Sequence, residues 1–258
     1  MACKSVAWEN NGRRVRLIHI MKNKSEQLPR TTIPKCFSAS IITIVLLLFS
    51  CVCFGDDFKP DMQGIIRDTQ KLSMAGHQLN LVWWVPKQYW QGSLESSQKL
   101  TPEAIGDFLK TVKPYTVIMV VKGQIGAVGG ITYDDEATIR SQLVLVDHDG
   151  NEYTPMNDSA ISDDAKNLIG MMKPIFANML GSMGKNMDFY LFPALDKNGR
   201  PIADAAAEGQ FSVRSGGETF KWRLPIGSVL PAKICPKCGE KLSGAYKFCP
   251  YDGTPLNK

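Results

Sequence analysis

Histidine is scarce in this 258-residue chain: there are three, and only His77 and His148 lie beyond residue 55. The cysteine-rich C-terminal end therefore has no imidazole to serve as a base or a ligand. No G-x-S-x-G is present, and the glycines at 123, 126, 129 and 130 do not make G-x-G-x-x-G. A nucleophile elbow and a dinucleotide fingerprint are both excluded. The acidic turn "DHDGNE" (147–152) misses the D-x-[DN]-x-[DN]-G spacing of a calcium loop, and His148 within it reads as a solvated turn residue. Net charge is also lacking where it would matter. Eight of the 30 Lys and Arg residues, but only Glu9 and Glu26 of the acidic ones, fall in residues 1–40, which leaves residues 56–258 at −1. A near-neutral body is not the footprint of a general phosphate binder, so no nucleic acid partner is expected.

The charge asymmetry reads as an address. Residues 38–55, "SASIITIVLLLFSCVCFG", are uncharged and mostly apolar, with basic residues before them and Asp56 and Asp57 after them. That is the layout of a secretory signal. The dense part, Ile41 to Phe49, is shorter than the roughly 20 residues of a comfortable membrane span. The wider run reaches about 27 Å as a helix. Three fates stay open: cleavage near Gly55, acylation at Cys51 in the lipobox-like "LLFSC", and retention as a membrane anchor. Each puts the body outside the cytoplasm. Met21-Lys22-Asn23-Lys24 is an ordinary signal start, so residues 1–20 are expected to be an upstream extension from a mis-assigned start, and residues 21–55 the signal peptide or anchor.

Residues 60–225 read as a β-rich globular domain. "QLNLVWWVPKQYW" (78–90) reads as a strand that ends, or lies at a sheet edge, at Pro86. Trp83, Trp84, Tyr89 and Trp90 read as core, with an interface anchor as the other reading. Adjacent Trp83 and Trp84 must face opposite sides of the strand, so one of them needs a second surface to cover it. "TPEAIGDFLKTVKP" (101–114) is a helix with Thr101 as N-cap and Pro102 in its first turn. Strands are expected over 115–123, 124–133, 138–155, 189–196, 208–215 and 218–225, with hairpin signals at Asp149-Gly150 and Asn198-Gly199. Between them, 162–184 repeats apolar residues every three or four, with Ser162 or Asp163 as cap and a kink at Pro174. Its methionines 171, 172, 179 and 183 read as a buried helix face, with an adaptable groove as the other reading. The fold class is mainly β within α+β: a β-sandwich, of which the immunoglobulin-like arrangement is one form, with helical insertions. Residues 226–234 read as a linker.

The tail carries the sharpest pattern. Cys235-x2-Cys238-x10-Cys249-x2-Asp252 places paired ligands on two tight turns, each followed by glycine, Gly239 and Gly253. Residues 235–252 resemble the zinc-ribbon family, while the body resembles none. The resemblance implies a structural Zn2+ held by Cys235, Cys238, Cys249 and Asp252 in a C-terminal module, 235–258. Asp252 departs from the family's fourth cysteine, but a carboxylate ligates zinc and preserves the formal ligand charge. Oxidation competes with metal outside the cytoplasm, either by a Cys235–Cys238 pair or by Cys249 with one of them.

These readings lead to a bacterial cell-envelope protein, exported or membrane-anchored through its N-terminal segment. It is expected to be a non-enzymatic binding or assembly protein with a protein partner. The alternatives are an envelope hydrolase with a dispersed site and a cytoplasm-facing zinc ribbon binding nucleic acid through Lys233, Lys237, Lys241 and Lys247.

Overall fold

The computed structural model describes residues 58–97 and 99–256. The signal or anchor segment 21–55, Cys51 and residues 1–20 lie outside the described residues. Among those described, no helix is long and apolar enough to cross a membrane.

The protein has an α+β fold built on antiparallel sheets. Its first elements are α1 (Met62–Thr69), β1 (Gln70–Ala75), β2 (Gln78–Val85), α2 (Lys87–Ser96) and α3 (Pro102–Val112). Next come β3 (Tyr115–Ile125), β4 (Ile131–Tyr133), α4 (Glu136–Ser141), β5 (Leu143–Val146) and β6 (Glu152–Tyr153). Then follow α5 (Asp163–Leu180), α6 (Ser182–Lys185), β7 (Asp188–Pro193), β8 (Gly209–Ser215) and β9 (Glu218–Leu224). The tail adds β10 (Lys233–Ile234) and β11 (Lys241–Leu242). One sheet runs β1-β2-β3, with β3 pairing β7 along its first half and β4 along its end. The second sheet runs β6-β5-β8-β9.

The first sheet is the middle of three layers. From Leu79 to Val85 every residue of β2 is buried, and so is every residue of β3 from Thr116 to Val121. A strand buried on both faces reads as a continuous apolar run rather than an alternation. Trp84 meets Phe211 of β8 edge to face, with ring centroids 4.9 Å apart, and Phe211 in turn stacks on Trp222 of β9. Trp83 points the other way and meets Phe176 of α5 at 5.9 Å and Tyr89 of α2 at 5.1 Å. Both indole N–H groups facing the α1–β1 junction end on Thr69. Trp83 Nε1 donates to its hydroxyl and Trp222 Nε1 to its carbonyl, each at 3.1 Å.

A second buried polar group ties the sheets together. Asn80 in β2 donates to the Ser215 carbonyl at 3.0 Å and to Glu218 at 2.8 Å, and accepts from the Ser215 hydroxyl at 3.2 Å. A one-residue slip of β2 would turn Asn80 toward the helices and leave all three bonds unmade.

Two hairpin-type turns of matching sequence interlock at one end. In "DHDGN" (147–151) Asp147 Oδ1 accepts from the amides of Asp149 and Asn151, each at 2.9 Å. In "DKNGR" (196–200) Asp196 Oδ1 accepts from the amides of Asn198 and Arg200 at 2.8 and 2.9 Å. Gly150 and Gly199 occupy the left-handed region, with φ of 84° and 76°, which glycine adopts without a Cβ clash. Arg200 then reaches across to Asp149 and His148, and Lys197 to Asn151. Burial alone would raise the Asp147 and Asp196 carboxyls. The bonds from Asn151, Tyr153 and Asp149, and from Arg200 and Asn198, outweigh it and hold both below the usual range.

Several expectations hold and several shift. Thr101 caps α3 by accepting from the Ala104 amide, and Ser162 caps α5 through the Ala165 amide. Pro174 lies inside α5, and Gly181, at φ 60°, separates it from α6. The strand expected over 78–90 stops at Val85, and Pro86 is the N-cap of α2, so Tyr89 and Trp90 are helical. Proline fixes φ and lacks an N–H, which suits the entry to a helix as well as the end of a strand. The strand expected from 138 opens instead with α4, capped by Asp135 through the Thr138 amide. The methionine stripe divides: Met172 and Met183 pack on the core, whereas Met171 and Met179 are 63% and 65% exposed on the far face with Ile175. The segment 226–234 is packed, with Ile226 and Val229 buried in the main core.

Trp84→Ala is expected to lower stability by about 3–5 kcal/mol, because the cavity opens between two layers that cannot collapse onto each other. Met179→Ala should stay within about 0.5 kcal/mol. Urea midpoints of the two variants check this. Depressed carboxyl pKa values stabilise the fold above their unfolded value, and that gain is lost as pH falls through the folded value. The double variant Asp147→Asn, Asp196→Asn should therefore be less stable at pH 7 and lose less on acidification. Denaturation at neutral pH and below about pH 4 measures both slopes.

Candidate metal centre

The tail is two copies of one turn. In the first, the Cys235 amide donates to the Glu240 carbonyl and the Gly239 amide to the Cys235 carbonyl, both at 2.9 Å. In the second, the Cys249 amide donates to the Thr254 carbonyl at 2.8 Å and the Gly253 amide to the Cys249 carbonyl at 2.9 Å. Gly239 and Gly253 have φ of 75° and 71°. Each turn closes only through that left-handed step, which is why glycine follows both ligand pairs. The β10–β11 ladder, with Lys233 opposite Leu242, holds the first turn. A bridge between Phe248 and Pro255 holds the second.

This arrangement converges Cys235, Cys238, Cys249 and Asp252, whose ligand atoms all lie within 4.8 Å of one another. The sulfurs of Cys238 and Cys249 are 3.7 Å apart, and Cys235 Sγ is 3.5 Å from Asp252 Oδ2. A tetrahedral ion with bonds of about 2.3 Å to sulfur and 2.1 Å to oxygen sets sulfur–sulfur edges near ~3.8 Å and sulfur–oxygen edges near ~3.6 Å. Two of the six edges have those lengths and all six are within 4.8 Å, so the quartet can hold a metal ion. The three cysteines are free thiols, and 3.7 Å is far beyond the roughly 2.05 Å of a disulfide.

Asp252 has two separate tasks. Its Oδ1 accepts from the Thr254 amide at 2.9 Å, an Asx turn that shapes the second loop. Its Oδ2 is the oxygen nearer the Cys235 sulfur. The first task alone would explain an aspartate here; the second comes from the convergence with three sulfurs. The Thr254 amide and hydroxyl hold the Asp252 carboxyl well below the usual carboxylate range. The Cys238 amide, 3.5 Å from the Cys235 sulfur, lowers that thiol. Cys238 moves the opposite way: the Glu240 amide lowers it, but burial and the neighbouring Cys235, Cys249 and Asp252 push it up to about 12. Four acidic groups this close cannot all ionise unaided, and a cation in their midst removes that conflict.

Among the described residues, Cys235, Leu242, Cys249 and Leu256 form the buried hydrophobic cluster of the tail. Two leucines and two sulfurs do not cover the entropy of ordering some 20 residues. All four residues predicted as ligands from the sequence are brought together, and no other group of three or more His, Cys, Asp or Glu side chains among the described residues has its ligand atoms so placed. His148 sits in its turn, 3.0 Å from Asp149. Both Asp147 oxygens are taken by Asp149, Asn151 and Tyr153, so the turn offers no calcium cage.

Comparison with family models, curated proteins and solved structures gives no match for this chain.

Cobalt(II) loading reads the donor set directly. The wild-type chain is expected to show tetrahedral d–d bands with thiolate charge transfer. Asp252→Cys should strengthen the charge-transfer band, and Asp252→Ala should weaken metal retention at least about tenfold.

Proposed function

We propose that residues 235–258 are a zinc-ribbon-like module built on one structural Zn2+, carried by an exported bacterial cell-envelope protein that works by binding or assembly. The observation that supports the zinc reading is the convergence of three sulfurs and one carboxylate within 4.8 Å of one another. Four protein ligands leave no coordination position for substrate, which is the pattern of structural zinc. Zinc in such sites supplies on the order of 10–16 kcal/mol of apparent binding energy, enough to fold a module with so small a core.

The export reading rests on the charge layout of residues 21–55, a basic segment, an apolar run and then Asp56 and Asp57. A protein partner is supported by apolar side chains left facing outward. On the tail, Phe248 and Tyr251 are 61% and 74% exposed. On α5, Met171, Ile175 and Met179 follow one another at four-residue spacing and share one face. Exposed groups of this kind mark contact surfaces more often than isolated apolar residues do.

Chelation is the test. Stripping zinc is expected to open 235–256 to protease while 58–225 stays resistant, and re-adding zinc should restore protection. A tail equally resistant with and without chelator would contradict the structural role. For the address, a C-terminal reporter active only outside the cytoplasm should be active on the full chain, and an inactive reporter would overturn export.

A further inference from the structure

A cavity in the body shares no residue with the metal centre. Where β2 and β3 meet α2, α3 and the loop before β8, the structure leaves a cavity of about 550 Å³. Its size falls within the range of small-molecule sites. Trp84, Trp90, Leu109 and Val117 give it apolar walls.

Two residues of this lining each carry a buried polar atom without a protein partner, Trp90 Nε1 and Gln88 Oε1. Trp90 is 4% exposed and held by edge-to-face and tilted contacts with Tyr89 and Phe108, at 5.7 and 5.5 Å. Its ring is fixed by packing, and its N–H is left over. The contrast is instructive, because Trp83 and Trp222 each give their N–H to Thr69. Buried donors and acceptors without partners are costly, and in native structures they mark places where something else supplies the bond. The charge on the lining is one-sided as well. Lys87, Lys110 and Lys113 are exposed around it and make no ion pair with a described residue. The only acid is Asp204, whose carboxylate accepts from the Ala206 amide.

We infer that this cavity binds a small amphipathic organic anion. Its aryl or alkyl body packs on Trp84, Trp90 and Val117. Its carboxylate or sulfonate faces the three lysines. The inference is independent of the zinc reading, since it involves no residue of the tail.

Two dyes of one ring system test it: 8-anilinonaphthalene-1-sulfonate, and N-phenyl-1-naphthylamine, which lacks the sulfonate. Both would be titrated by fluorescence into the full chain. The anionic dye is expected to bind about tenfold tighter than the neutral one, and the double variant Lys110→Glu, Lys113→Glu should erase that preference while leaving the neutral dye unchanged. Ala203→Trp, which fills the cavity from its wall, should abolish both signals with the thermal midpoint retained. Equal affinity for the two dyes, equal weakening of both by the lysine variant, or undiminished binding to Ala203→Trp would each overturn the proposal. The lysine variant changes only exposed side chains, so its result stands even where Ala203→Trp fails to fold.

Discussion

The body is organised by a strand that has no free face. Trp83 and Trp84 are consecutive in β2, so they project from opposite sides, and neither ring is tolerable in water. One side must be closed by another sheet and the other by helices. The second sheet answers through Phe211 and Trp222, and the helical layer through Phe176 and Tyr89. Once both sides are closed, Asn80 and Thr69 are polar groups buried in the interior, both with hydrogen-bond partners. They fix the register and the approach of α1 in a way apolar contact alone does not.

The tail obeys a different physics. It has too little apolar surface to fold by burial, and its two glycine turns instead gather four acidic ligands whose charges oppose one another. A cation held there would resolve the repulsion and supply the missing free energy in the same step. The carboxylate at 252 keeps the turn geometry through Thr254 while presenting its second oxygen to the sulfurs. A carboxylate at this position is thus accommodated within the loop. Together the chain joins a body stabilised by packing to a small module whose four convergent ligands can hold a metal ion.

Much of this was legible from local chemistry. The caps at Thr101 and Ser162 and the glycine turns at 150 and 199 depend on residues within a few positions of one another, and all four appear where the pattern put them. The metal quartet was legible for the same reason, because ligand spacing and turn glycines are both local. What local chemistry left out required distant partners. Pro86 suits both a strand end and a helix start, and only the covering of Trp90 by Phe108 shows which one follows. A four-residue spacing shows that Met171, Ile175 and Met179 share a face, but whether that face is inside depends on where the sheet lies. The interlocked turns at 147–151 and 196–200, bridged by Arg200, are invisible until the chain has returned on itself. The cavity beside Trp90 belongs to the same class, since its walls come from four separate stretches of sequence.

The measurement that bears most directly on the account is zinc per chain, by elemental mass spectrometry on protein purified from its native host without added metal, with free thiols counted on the same sample. The account predicts about one zinc per chain, with Cys235, Cys238 and Cys249 all reduced once the metal is removed. A chain without zinc whose tail cysteines are joined by a disulfide would contradict it, and would make the two turns a redox element instead of a metal site.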